Sequence, residues 1–212
     1  MKVCEIFSSI QGESTYAGVP CIFIRLSGCN LRCSYCDTKY SYEEGSEMPI
    51  DGIMREVLSS GLSTVEITGG EPLMQEEGLH ELTARLIEAG LNVLIETNGS
   101  LNIGNIQKAA VIIMDVKTPS SGMSSHNDYS NFSHLKNTDE LKFVISDRCD
   151  YDWAVRILKE HALMGRCTLL FSPAYGRIAP RELASWILAD RLDVRLNIQL
   201  HKYIYGPEER GV

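Results

Sequence analysis

Short apolar and β-branched runs alternate with stretches of helical period along most of this chain, and that alternation limits the folds open to it. The runs at 21–27, 64–68, 92–97, 111–116, 141–145, 167–172 and 194–200 read as strands. Between them, 51–60, 78–89, 150–161 and 180–189 carry the periodicity of helices, with Gly90 as a stop and Pro180 as a start. Strand–helix–strand units of this kind pair their strands in parallel through right-handed crossovers. The strands are almost continuously apolar, as expected where helices cover a sheet. The expected class is α/β with mostly parallel strands, either a partial, TIM-like β/α barrel or an open sheet.

Polar or glycine-rich segments follow the strands at 28–38, 69–72, 98–99, 117–137 and 173–177. In α/β folds the ligand lies outside the carboxyl ends of the strands, so these segments share one rim. The stretch 119–137, rich in Ser, Asn and Gly, has the length of a mobile loop or lid. With 212 residues, 44% hydrophobic and 23% charged, the chain suits one domain over 1–212. A formal charge of -8 repels a phosphate backbone, so nucleic acid is not an expected partner. No apolar run approaches the roughly 20 residues of a bilayer span. The N-terminus has no apolar core or cleavage site of a secretory signal, and the expected compartment is the cytoplasm.

Seven cysteines is an odd count, and Cys29, Cys33 and Cys36 crowd one loop directly after a strand. In a reducing compartment such a cluster favours metal or redox chemistry over disulfides. The C-x3-C-x2-C spacing lets three thiolates face one centre. On a [4Fe–4S] cluster they leave one iron open to a small chelate, such as the amino and carboxylate groups of S-adenosylmethionine. One electron can then break a carbon–sulfur bond and release an adenosyl radical. Cys33 and Cys36 alone could equally be a dithiol redox pair, and three thiolates with a histidine could bind zinc. The remaining cysteines, Cys4, Cys21, Cys149 and Cys167, sit in or beside apolar runs and read as small buried hydrophobes. His80 and His161 fall on helical stretches without a partner at ligand spacing, and His126 and His134 lie in the 119–137 stretch.

A second motif, Thr68-Gly69-Gly70-Glu71-Pro72, follows a strand directly. With the cysteine loop it resembles the second signature of the radical S-adenosylmethionine superfamily. There the glycines admit close backbone approach, and the carboxyl end of the segment, at Glu71, meets the methionyl ammonium. The resemblance narrows further. Residues 5–13 (Glu-Ile-Phe-Ser-Ser-Ile-Gln-Gly-Glu), Phe23 to Leu31, Cys36-Asp37-Thr38, Ile95 to Gly99, Glu140-Leu141-Lys142 and Gln199 to Pro207 are similar to the 7-carboxy-7-deazaguanine synthases over nearly the whole chain.

That resemblance implies a homodimeric carbon–nitrogen lyase of queuosine and 7-deazapurine biosynthesis. It would convert 6-carboxy-5,6,7,8-tetrahydropterin into 7-carboxy-7-deazaguanine and ammonia, with magnesium and an electron donor such as flavodoxin. By position it implies substrate contacts at Ile10, Gln11, Gly12, Arg25, Thr68 and Pro207, and a magnesium ligand at Thr38. Cofactor contacts fall on Tyr35, Cys36 and Asp37, on Gly70, on Asp115-Val116-Lys117 and on Ser172-Pro173-Ala174-Tyr175. Many relatives read Ser-Pro-Lys and Gln-Pro where this chain has Asp-Val-Lys and Ser-Pro, which leaves the side-chain roles of Asp115 and Ser172 open. Arg25 offers a planar fork for a carboxylate or a structural ion pair. Glu96 and Asn98 could touch a ribose or cap a turn. No side-chain nucleophile is expected. Two other readings compete: an activase for glycyl-radical enzymes, built on the same cysteine spacing but docking a large protein, and a noncatalytic iron–sulfur or zinc module.

Overall fold

A computed structural model describes residues 1–207 and 209–212. Its strands are β1 (Lys2–Ile10), β2 (Pro20–Leu26), β3 (Ser46–Glu47), β4 (Thr64–Gly69), β5 (Asn92–Thr97), β6 (Val111–Val116), β7 (Glu140–Ile145), β8 (Thr168–Pro173) and β9 (Arg195–Leu196). The helices are α1 (Ile50–Ser59), α2 (Glu76–Glu88), α3 (Arg148–Glu160), α4 (Pro180–Asp190) and α5 (Leu200–Ile204). Among the described residues the strands form one sheet in the order β3-β1-β2-β4-β5-β6-β7-β8-β9. From β2 to β9 every pairing is parallel, while β1 runs antiparallel to β2 and β3. The two edge strands do not pair with each other, so the sheet is an open, partial barrel. No helix among the described residues is long and apolar enough to cross a membrane.

Side chains alternate across each strand, and here the alternation separates two environments. On one face Ile24, Ile67, Ile95, Met114, Phe143 and Phe171 join the main hydrophobic core with Leu82 and Leu86 of α2, Ile157 of α3 and Leu183 of α4. Each of these buried aliphatic or aromatic side chains contributes about 1.5–3 kcal/mol. The opposite face carries Arg25, Glu66, Thr68, Glu96, Asp115 and Lys142, with a small apolar patch of Leu94, Val111 and Ile113 near the amino ends of the strands. A charge inside an apolar strand is tolerated only where a partner meets it.

Those partners come largely from the turn between β1 and β2. Gln11 donates through Nε2 to Glu66, Glu13 accepts from Lys142 at 2.8 Å, and the Thr15 N–H donates to the Glu140 carboxylate at 3.1 Å. Tyr16 packs on the apolar patch. Residues 11–16 thus form a floor across the sheet. Burial and the neighbouring Glu96 hold the Glu66 carboxyl well above the ordinary carboxylate range. Burial thus works against its charged form, and Gln11 supplies a hydrogen-bond partner there.

Several expectations change. The nine-residue β1 was not expected as a strand, because Glu5, Ser8 and Ser9 break its apolar run. The expected strand at 194–200 shrinks to the two residues of β9, and its end is helix α5. The stretch 119–137 is no free lid: three short 3₁₀ turns bury Phe132 and Asn131. The Asn131 amide donates to the carbonyls of Gly99 at 3.2 Å and Leu101 at 2.8 Å, and its oxygen accepts from the Ile103 N–H at 3.1 Å. Of the cysteines expected in the interior, Cys21 is fully buried, Cys4 and Cys167 are half-buried, and Cys149 is exposed on the first turn of α3.

Removing the Asn131 amide leaves buried backbone groups unpaired. Asn131→Ala is expected to cost on the order of 2–4 kcal/mol, against under about 0.5 for Ser133→Ala on the exposed side of the same turn. Urea unfolding midpoints of the two variants check this; equal midpoints would contradict the pinned loop.

Candidate active site

A cavity of about 690 Å³ opens at the carboxyl ends of the strands, against the inner face and above the floor. Its volume lies in the ordinary range for small-molecule sites. Cys29, Cys33 and Cys36 line it, as do Tyr35, Asp37 and Thr38 from the same loop. Ile10, Gln11, Gly12, Arg25, Thr68 and Pro207 reach it from the floor, the sheet and the C-terminal segment. Gly70, Asp115, Lys117 and the segment Ser172 to Tyr175 complete the match with the residues singled out in the sequence. Two of those do not reach it. Val116 points into the hydrophobic core, as strand alternation demands, and the Glu71 side chain is fully buried beneath the loop.

Glu71 is instead a brace. Its carboxylate accepts from the Leu73 N–H at 3.0 Å, the Thr97 hydroxyl at 2.8 Å and the Asn98 N–H at 2.7 Å. Its own N–H donates to the Gly28 carbonyl at 2.7 Å, tying the Gly-Gly-Glu-Pro turn to the start of the cysteine loop. The glycines are required by contact: a Cβ at Gly69 would lie 2.2 Å from the Leu26 carbonyl oxygen, at a φ of 142°. One at Gly70 would lie 1.9 Å from that of Gly28. The Glu71 side chain thus holds two loops together.

The 119–137 segment braces the cysteine loop from its other side. Ser34 donates through N–H to the Ser121 carbonyl at 2.9 Å and through its hydroxyl to that of Ser120 at 2.7 Å. Arg32 folds back onto the Cys29 carbonyl at 2.8 Å, its guanidinium 4.2 Å from the Tyr42 ring centroid. Burial pushes the Cys29 and Cys33 thiols up, and the Lys117 ammonium partly opposes this at both. No three His, Cys, Asp or Glu side chains among the described residues converge as a single metal ion requires. Tetrahedral zinc–thiolate sites need sulfurs roughly 4 Å apart, whereas a four-iron cube holds its thiolates around a larger body. The donor set, three thiols on one braced loop facing open space, fits such a cluster.

Across the cavity, Arg25 is held by its Nε, which donates to Glu5 at 2.7 Å; the Tyr40 hydroxyl donates to the same carboxylate oxygen at 2.8 Å. The guanidinium carbon lies 5.6 Å from the Phe7 ring centroid. Its terminal amines make no hydrogen bond to the described residues and face the cavity. Lys142 donates to Glu13 and Glu96, and Thr68 donates to Glu96 at 2.9 Å. Burial alone would raise Glu13; the ammonium of Lys142 and then His201 hold it below the usual carboxylate range. Glu96 thus belongs to the sheet's ion network, while Asn98 bonds Asn30 at 3.0 Å and caps Ser100 at 3.0 Å.

Helix α5 closes one side. The Leu200 N–H donates to the Gly12 carbonyl at 2.8 Å, and a Cβ on Gly12 would lie 2.1 Å from His201 Nδ1. Lys202 pairs with Asp37, directly after the last cysteine, at 2.5 Å. Beyond it, Arg210 lies 3.6 Å from the Tyr40 ring centroid. Sequence reading missed Glu66 as a cavity residue, while Glu13, His201 and Lys202 lie in the terminal segments whose resemblance favours a small-molecule pocket. The one available signal was a charge placed inside an apolar strand run, as at Glu66 and Lys142.

Residues 23–161 match the Radical SAM superfamily. Over its whole length the chain is 45% identical to "7-carboxy-7-deazaguanine synthase" of Chlorobaculum tepidum, covering 97% of that protein. It is also 45% identical to the protein of that name from Koribacter versatilis, with all of both chains covered. Against the one from Methanospirillum hungatei identity is 43%, over 98% of this chain and 86% of that protein. In structure it is similar to QueE from Escherichia coli, with a TM-score of 0.79, 23% identity and 94% of each chain covered. By superfamily match and full-length identity, the chain belongs to the radical SAM superfamily and, within it, to the 7-carboxy-7-deazaguanine synthase family.

Proposed function

We propose that this chain, acting as one domain over 1–212, converts 6-carboxy-5,6,7,8-tetrahydropterin into 7-carboxy-7-deazaguanine and ammonia. This is the lyase step of 7-deazapurine, and hence queuosine, biosynthesis. One observation carries the reading: a single cavity places the three thiols and the unengaged amines of Arg25 around a common space. The chain that builds it is 45% identical to proteins named for that product. Cys29, Cys33 and Cys36 hold the [4Fe–4S] cluster. S-adenosylmethionine lies against Tyr35, Cys36, Asp37, Gly70, Asp115, Lys117 and the segment Ser172 to Tyr175, with Val116 and Glu71 acting through the backbone they fix. When bound, cluster and cofactor supply a one-electron reductive carbon–sulfur cleavage, the entry to radical chemistry.

The protein's own residues bind, orient and exclude water. Arg25, with its Nε fixed by Glu5, turns its two free amines to the substrate carboxylate. Gln11 has its side chain committed to Glu66 and, at 2.8 Å, to the Glu13 N–H, so it serves the substrate mainly by shaping the floor with Ile10 and Gly12. Thr68, Glu96 and Lys142 form a connected wall in which no partner is free to drift. Pro207 and α5 restrict the mouth. At Thr38 the chain offers magnesium one neutral hydroxyl, its oxygen 3.8 Å from Cys36 Sγ. A near-octahedral shell then has to be completed by substrate oxygens and water, so ion and substrate bind together.

The working form is a cytoplasmic homodimer reduced by a flavodoxin-like donor. The exposed apolar side chains of Leu188, Leu196, Ile198, Tyr203 and Ile204 near β9 support a second copy on that edge. The small, walled cavity with a carboxylate-holding arginine favours a small molecule over the protein backbone that a glycyl-radical activase must admit.

Anaerobic incubation of the reconstituted protein with S-adenosylmethionine, reductant, magnesium and the tetrahydropterin should yield the deazaguanine, read by mass and absorbance. Formation of 5′-deoxyadenosine without that product would sink the substrate assignment. Thr38→Ala should lose magnesium stimulation while still cleaving S-adenosylmethionine; stimulation equal to wild type would remove Thr38 as the ligand.

A further inference from the structure

Two lysines are buried in one wall of the cavity, and one carboxylate touches both. Asp115 and Lys142 are register partners on β6 and β7, with Asp115 Oδ1 3.4 Å from the Lys142 ammonium. Oδ2 of the same carboxylate lies 2.6 Å from the Lys117 ammonium. The side chains of Asp115, Lys117 and Lys142 are 13%, 10% and 4% exposed, so water screens none of them well. Lys142 has Glu13 and Glu96 as well, but among the described residues Asp115 is the carboxylate within ion-pair distance of Lys117. The main chain of Lys117 is held by Asn127. Its N–H donates to Asn127 Oδ1 at 2.8 Å, and its carbonyl accepts from Asn127 Nδ2 at 2.9 Å.

The Asp115–Lys117 pair lines the same cavity as Cys29, Cys33 and Cys36. A positive charge beside an iron–sulfur cluster favours the reduced, more negative state and raises its potential, whereas a carboxylate on that charge cancels most of the effect. We propose that Asp115 is a charge-compensating residue: paired to Lys117 in the cavity wall, it keeps the reduction potential of the cluster on Cys29, Cys33 and Cys36 low. This rests on the cluster assignment above and gives the Asp115 carboxylate a role that needs no contact with the cofactor.

The test is an EPR-monitored potentiometric titration of the full, anaerobically reconstituted chain, with iron content measured in parallel. Asp115→Asn should shift the midpoint potential to more positive values, and Lys117→Met should shift it to more negative ones. The double variant, which removes a neutral pair, should return close to wild type, a pattern that general loosening of the site does not produce. If Asp115→Asn does not fold, the double variant should still lie at a more positive potential than Lys117→Met, and equal potentials in those two would overturn the proposal. Unmoved potentials in variants that hold a full cluster would overturn the proposal and leave the cluster assignment standing. A wild-type chain that binds no iron would overturn both.

Discussion

The ammonium of Lys142 is buried on the inner face of the sheet, and the architecture around the cavity is organised by the need to compensate it. Glu13 from the floor, Glu96 from β5 and Asp115 from β6 converge on that one charge. Breaking a buried pair of this kind typically costs about 3–5 kcal/mol, because the remaining partner is left uncompensated. The same contacts therefore hold the β1–β2 turn across the open barrel, join three parallel strands on the cavity side and leave that side too polar to pack. Where the outer face uses Ile, Leu and Phe to take up helices, the inner face uses charge to keep a space open.

Much of this was legible in the sequence. Periodicity located β4 to β8 and α1 to α4 within one or two residues, because each is long enough to repeat its pattern and is bounded by glycine, proline or a capping residue. It failed at β1, where Glu5, Ser8 and Ser9 interrupt the apolar run and Glu5 turns inward to hold Arg25, and at 194–200, where an apolar run on an exposed edge pairs over only two residues. The 119–137 segment read as a lid because its composition is polar. The side-chain amides of Asn127 and Asn131 satisfy backbone groups there, a use of Asn that composition cannot distinguish from solvation.

The cavity shows the same division. Spacing drew out the cysteine loop and resemblance its partner turn, since both depend on residues near in sequence. Glu71, part of the same motif, turned out to brace the loops rather than face the cavity, because backbone N–H groups from two different segments meet its carboxylate. Residues whose function arises only by convergence, such as Glu66 beneath Gln11 or Lys202 beside Asp37, carry a weak local signal. A charge inside an apolar run is the most that sequence offers, and it says that a partner exists without saying which.

The central claim is that three thiols hold a four-iron cluster with one iron left open to the cofactor. Mössbauer spectroscopy of chain reconstituted with ⁵⁷Fe, recorded with and without S-adenosylmethionine, addresses it most directly. The account predicts four irons per chain, one of which changes its spectrum on adding the cofactor while the other three do not. A spectrum indifferent to S-adenosylmethionine, or a centre of fewer irons that is stable to reductant, would contradict it.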